Sequence, residues 1–100
     1  MIARGTTPHV KITLPFDSSI LDVAYISISQ DDNVIIEKTL YDCIQDGNTL
    51  TVKLTQEDTL KLSSEARAEI QIRARDNDGN AIVSNIKTTY IYKINKDGVI

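Results

Sequence analysis

A chain of 100 residues can bury one core, and its 14 Asp and Glu against 11 Lys and Arg leave a net charge of −3. That balance argues against a nucleic-acid footprint, which needs a concentrated surplus of Lys and Arg. Ile, Leu and Val dominate the apolar set, and the lone Cys43 leaves no partner for an internal disulfide or a thiolate metal site.

No apolar run approaches the ~20 residues that cross a bilayer, and Met1 to Gly5 lack the apolar h-region of a signal peptide. The expectation is a soluble protein without a membrane partner, made and assembled in a reducing cytoplasm; a virion surface would also tolerate one buried thiol. With no Trp and Phe16 the only Phe, the composition suits tightly packed sheets better than a roomy ligand cavity.

Residues 1–8 are polar and broken by Gly5 and Pro8, which predicts an N-terminal arm. Val10, Ile12 and Leu14 then alternate with Lys11 and Thr13, a first strand that Pro15 ends because proline cannot donate to a central ladder. Phe16-Asp17-Ser18-Ser19 reads as a corner with Phe16 folded over one end of the core. The second strand runs from Val23 to Gln30, with Ala24, Ile26 and Ile28 on one face, and Asp31-Asp32-Asn33 makes a hairpin. In the third strand, Val34 to Thr39, Val34, Ile35 and Ile36 are consecutive. That predicts cover on both faces or a neighbouring chain alongside.

Leu40 to Ile44 reads as a short fourth strand and Leu50, Val52 and Leu54 as the next alternating one, after the turn Asp46-Gly47-Asn48. Thr55 and Asp58 have the spacing of a capping box, which predicts one helical turn near 55–60 as a crossover between sheets. From Ala66 to Arg75 apolar residues hold every second position, and Asp76-Asn77-Asp78-Gly79-Asn80 supplies a tight turn. The return run, Ala81 to Tyr92, completes a hairpin expected at the centre of the sheet. A bend or bulge is expected at Ser84-Asn85. Ile86, Thr88, Tyr90, Tyr92 and Ile94 then share one face, opposite Lys87, Thr89, Ile91 and Lys93.

About seven strands with turn signals every ~8 to 12 residues predict an all-β chain, an immunoglobulin-like antiparallel β-sandwich. Its body spans 9–95, and residues 96–100 form a C-terminal tail.

Side chains that could carry chemistry do not converge in the sequence. His9 is the only histidine and has no ligand-spaced companion, so a surface role is expected rather than a metal site or a triad. Asp76 to Asn80 superficially resembles a calcium loop, but the sixth and twelfth places hold Ala81 and Lys87 where an EF-hand has Gly and Glu. Asp31 with Asp32, and Asp42 with Asp46, read as solvated loop and strand-end carboxylates rather than an acid/base pair. Arg67, Arg73 and Arg75 share a strand face with Glu69 and read as a solvated face. No catalytic residue, cofactor or metal is expected. Tyr25, Tyr41, Tyr90 and Tyr92 raise sugar stacking as an alternative; tyrosine is also enriched where proteins touch.

Several stretches taken together resemble a known group. Arg4-Gly5-Thr6-Thr7-Pro8, Leu14-Pro15-Phe16-Asp17, Glu37-Lys38, Gly47-Asn48, Leu54 to Leu60, Ile70-Gln71-Ile72-Arg73, Asp78 to Ala81 with Ser84-Asn85, and Lys96-Asp97-Gly98 resemble small proteins encoded in prophages of Gram-positive, gut-associated bacteria. These lie among tail and baseplate genes and are similar to the N-terminal β-sandwich domain of phage baseplate upper proteins. The likeness covers nearly the whole chain, rests on structural punctuation, and departs at His9-Val10-Lys11.

The resemblance implies a non-enzymatic phage structural or assembly protein that contacts other phage structural proteins or copies of itself as a homo-oligomer. Expected contact residues are Arg4, Thr6, Thr7, Tyr90, Tyr92, Val99 and Ile100, in arms offered by the two termini. The alternative is a stand-alone carbohydrate- or cell-surface-binding module.

Overall fold

The computed structural model describes all of residues 1–100. The chain is all-β, with half its residues in strands and three short helical turns. Strands β2 (His9–Thr13), β5 (Cys43–Asp46) and β6 (Thr49–Lys53) form an antiparallel sheet in the order β2-β6-β5. A larger antiparallel sheet has the order β4-β3-β7-β8, from β3 (Leu21–Gln30), β4 (Asn33–Thr39), β7 (Ala68–Asp76) and β8 (Ala81–Val83), with β9 (Lys87–Thr89) also on β7. A two-stranded parallel ribbon joins β1 (Ile2–Ala3) to β10 (Ile91–Tyr92).

Alternation places the core. Ala24, Ile26, Ile72 and Ala74 from the larger sheet meet Leu50 and Val52 from the smaller in one buried cluster. Ile28, Ile36, Leu54 and Ala68 form a second with Ile2 and Ile91, and half-buried Val10 and Ile70 touch both. Each of the larger aliphatic side chains so enclosed contributes roughly 1.5–3 kcal/mol. The shortest dimension of the body is 16 Å.

Several expectations hold and some need correction. The β3–β4 turn has φ of 50° at Asp31 and 65° at Asp32, the signature of a two-residue hairpin loop of the primed kind. The consecutive Val34-Ile35-Ile36 are not covered on both faces. Ile28 pairs with Ile36 and Ser29 with Val34, so Ile35 is the extra residue of a bulge and packs beside Ile36 on the second cluster while Val34 stays exposed.

The fourth strand begins at Cys43, not Leu40. The Asp42 carboxylate accepts the Thr39 backbone N–H at 2.8 Å, closing a short 3-10 turn over Leu40–Asp42. The return run after Gly79 is not one strand but β8, β9 and β10, broken at Ser84-Asn85 and again at Tyr90. Its buried side is that of Thr89 and Ile91, and Tyr90 and Tyr92 face out. The chain must leave the larger sheet there to lay Ile91 over the second cluster and pair β10 with β1.

The first segment is not an arm. Ile2 is buried, its N–H donates to the Tyr90 carbonyl at 3.1 Å, and the Arg4 guanidinium donates to the carbonyls of Leu62 at 2.8 Å and Leu60 at 3.0 Å. Gly5, at φ +73°, packs so closely that an added Cβ would meet Ile94 Cδ1 at 3.0 Å. The tail is exposed but tethered. Gln56 donates from Nε2 to the Ile100 carbonyl at 3.1 Å and accepts its N–H at 2.8 Å.

Two polar anchors hold the crossover between the sheets. Buried Gln30 donates from Nε2 to the carbonyls of Ser63 and Ala66 and accepts the Ser63 N–H, at 2.8–3.0 Å. The capping box of α1 (Gln56–Leu60) forms as the sequence predicts: Thr55 Oγ1 accepts the Asp58 N–H at 3.1 Å, and the Asp58 carboxylate accepts the Thr55 N–H at 2.9 Å. Asp58 also meets Lys38 Nζ of β4 at 2.8 Å.

Burial pushes the Asp58 carboxyl up, but the hydrogen bonds from Lys38 and Thr55 and the Lys38 charge outweigh it and hold it below its ordinary value. A carboxyl depressed in the folded state adds stability that is complete above its unfolded pKa and is lost as pH falls through the folded one. Asp58→Asn should therefore cost about 1–3 kcal/mol at pH 7. It should also flatten the loss of stability below about pH 4, as read by urea denaturation across a pH series.

Candidate functional site

The two sheets are joined along one side and open along the other. Beside β4 and β5 the chain itself crosses over, and half-buried Leu40 packs on the first cluster. On the opposite side, β2 and the β7–β9 edge flank an open groove of about 840 Å³. Its floor is apolar, formed by Val10, Ile12, Leu14, Phe16, Ile70 and Ile72. Ile82, 36 % exposed, and Val83, 62 % exposed, lie at its margin.

Both rims carry unpaired backbone. The Leu54 N–H donates to the Pro8 carbonyl at 2.9 Å and the Leu14 N–H to that of Asn48 at 2.7 Å. With the observed register, these bonds make His9/Lys53, Lys11/Thr51 and Thr13/Thr49 non-hydrogen-bonded pairs. The N–H and C=O groups of His9, Lys11 and Thr13 consequently point away from β6. On the other rim, Ser84 N–H to Ile72 O and Asp76 N–H to Asn80 O, both 2.9 Å, turn the backbone of Ala81 and Val83 outward in the same way.

Local chemistry explains why β8 stops. Ile70 pairs with Lys87 and Arg73 with Val83, so the three residues Ser84 to Ile86 oppose only Gln71 and Ile72. Ser84 fills the gap. Its Oγ accepts the Ile72 N–H at 3.0 Å, and its carbonyl accepts Gln71 Nε2 at 3.0 Å. The bulge expected at Ser84-Asn85 is there, and it keeps Ile86 outside, 53 % exposed.

The expected contact residues are not gathered here. Arg4 is a structural pin that also meets Asp97 at 3.3 Å. Thr6 donates to the Ala3 carbonyl at 2.6 Å and accepts from Thr59 Oγ1 at 2.8 Å through its own carbonyl, while Thr7 is exposed. Arg67 sits 4.7 Å from the centre of the Tyr90 ring and donates to its hydroxyl at 2.7 Å, so that ring is already engaged. Tyr92, Val99 and Ile100 are exposed. The groove residues were not singled out by sequence, although a five-residue strand bounded by Pro8 and Pro15 carries the mark of an edge.

No group of three or more His, Cys, Asp or Glu side chains comes together to hold a metal ion. The Asp76 carboxylate is occupied within its own turn: it accepts the N–H groups of Asp78 and Asn80 and the Asn80 side-chain amide at 2.8–3.0 Å, and these bonds hold its pKa down. Burial, with the Asp42 charge, pushes the Cys43 thiol up, and the thiol donates to the Thr39 carbonyl. A thiol so held stays protonated at neutral pH. No helix is long and apolar enough to cross a membrane.

Comparison with known proteins finds no family model, no curated protein and no solved structure that matches the chain.

One wall residue is unsatisfied: the Thr89 hydroxyl is buried at the groove and has no hydrogen-bond partner. An orphaned hydroxyl costs about 1–3 kcal/mol, whereas an apolar group of the same shape costs none of this. Thr89→Val should leave stability unchanged or raise it by about 1 kcal/mol in thermal or urea unfolding.

Proposed function

We propose that this protein is a non-enzymatic structural or assembly component of a phage or prophage particle, of the tail or baseplate kind, acting through protein–protein contacts. The observation that carries the reading is the lateral groove, an apolar floor between two rims of unpaired backbone, which offers a chain partner hydrogen bonds and burial together. The resemblance to prophage tail and baseplate-region proteins supplies the setting.

The architecture we read is a two-sheet sandwich. A 16 Å thickness supports it, since stacked sheets pack about 10 Å apart, as do the clusters drawing side chains from both sheets. Numbering the seven main strands A to G from β2, with β8 and β9 together as G, puts A, E and D in one sheet and C, B, F and G in the other. The immunoglobulin layout has A, B, E, D and C, F, G. The two layouts differ in strand B, which here lies between C and F.

Exposure of Tyr90 and Tyr92 favours a partner-contact role over a core role for that face. The test is particle composition. Particles released by the lysogen that carries the gene should contain the chain in a fixed ratio to the tail proteins, read by quantitative mass spectrometry. If the chain is missing both from those particles and from tail-assembly intermediates, the reading is wrong.

A further inference from the structure

We propose that the lateral groove receives an extended, acidic segment of a second polypeptide, which adds a strand to β2 and drops alternate apolar side chains onto the groove floor. The inference rests on the contact role given above and names the partner's chemistry.

Three observations meet at one place. The first is backbone geometry. His9, Lys11 and Thr13 present outward N–H and C=O groups in strand register, and no other group in the molecule bonds to them. A strand laid there completes the ladder at the spacing β6 uses on the other side. The second is the floor, where Val10, Ile12 and Ile70 are only partly buried and Ile72 lies at the groove base. Side chains entering at every second position of an added strand would cover them.

The third is charge. The chain carries a net charge of −3, yet no Asp or Glu lines the groove, while Lys11 and Lys87 stand on it. Lys11 is an outward residue of β2 itself, where it would face alternate residues of an added strand, so carboxylates are favoured there and lysines are opposed.

The occupant is an otherwise unfolded segment, not the sheet edge of a second copy. A folded edge strand has already committed its inward side chains to its own core. It could pair with β2 only through backbone and would leave the floor uncovered.

The experiment is an NMR titration of the full chain with a synthetic peptide of about nine residues that alternates valine with aspartate or glutamate. A control peptide carries lysine at the acidic places. The acidic peptide is expected to shift the amides of Lys11 and Thr13 and to slow their exchange. It should bind at least about tenfold more tightly than the control, a difference of ~1.4 kcal/mol.

Lys11→Gln should weaken binding severalfold and leave the fold intact. Lys11→Pro removes the ammonium together with an N–H that no ladder bond uses, so it should fold and abolish binding. If that variant does not fold, Lys11→Gln alone decides. The proposal is overturned if the acidic peptide causes no shift at millimolar concentration, if both peptides bind equally, or if shifts fall on β4 and β5. It is also overturned if the chain alone shows concentration-dependent shifts on β2, which would make a second copy the occupant. Particle incorporation without peptide binding removes this inference only, whereas peptide binding by a chain absent from particles and intermediates removes the assembly reading and leaves the groove chemistry standing.

Discussion

The pairing of β3 with β7 is the constraint on which the rest of the structure depends. From Val23 to Ser29 it runs in continuous register against Arg75 to Glu69, which sets Ala24, Ile26 and Ile28 beside Ala74, Ile72 and Ile70 on one face. A slip by one residue would turn that whole row to solvent. Because the two strands are distant in sequence, closing them together requires the chain between them to leave and return. It does so through β4, the smaller sheet and α1, with Gln30 and Asp58 fastening the return.

That order of construction explains the open side. The excursion from β4 to β5 crosses between the sheets at one margin and covers it with Leu40. At the other margin the chain has no crossover to spare. It bulges at Ser84, lifts off β7 after Thr89 and goes to cover the second cluster through Ile91. Free edges are normally guarded by charge, proline or short length, and β2 shows all three in Lys11, its flanking prolines and its five residues. A lysine that repels basic strands still accepts an acidic one, so the guard also acts as a selector.

Much of this was legible in the residues. Strict alternation placed β3, β6 and β7, the Asp-rich turns placed the hairpins, and Thr55 with Asp58 placed the only α-helical turn. What escaped was whatever depends on long-range packing. Ile35-Ile36 looked like two-faced burial because a bulge is invisible without its partner strand. Tyr90 and Tyr92 shared a face with no sign of whether that face was wet. Residues 1–8 looked polar and broken, yet Ile2 and Arg4 pair through their backbone with Tyr90 to Tyr92 near the far end of the chain, beyond the reach of any local signal. The groove was illegible for the same reason: its two walls lie some 60 residues apart in sequence and neither is unusual alone.

The central claim is that β2 is hydrogen-bonded on one side and free on the other, a condition that native-state amide hydrogen exchange reads residue by residue. Val10, Ile12 and Leu14 should exchange slowly while Lys11 and Thr13 exchange at rates close to those of an unstructured peptide. Equal protection along β2 in dilute solution would contradict the account, because it would mean that the outer edge is already paired.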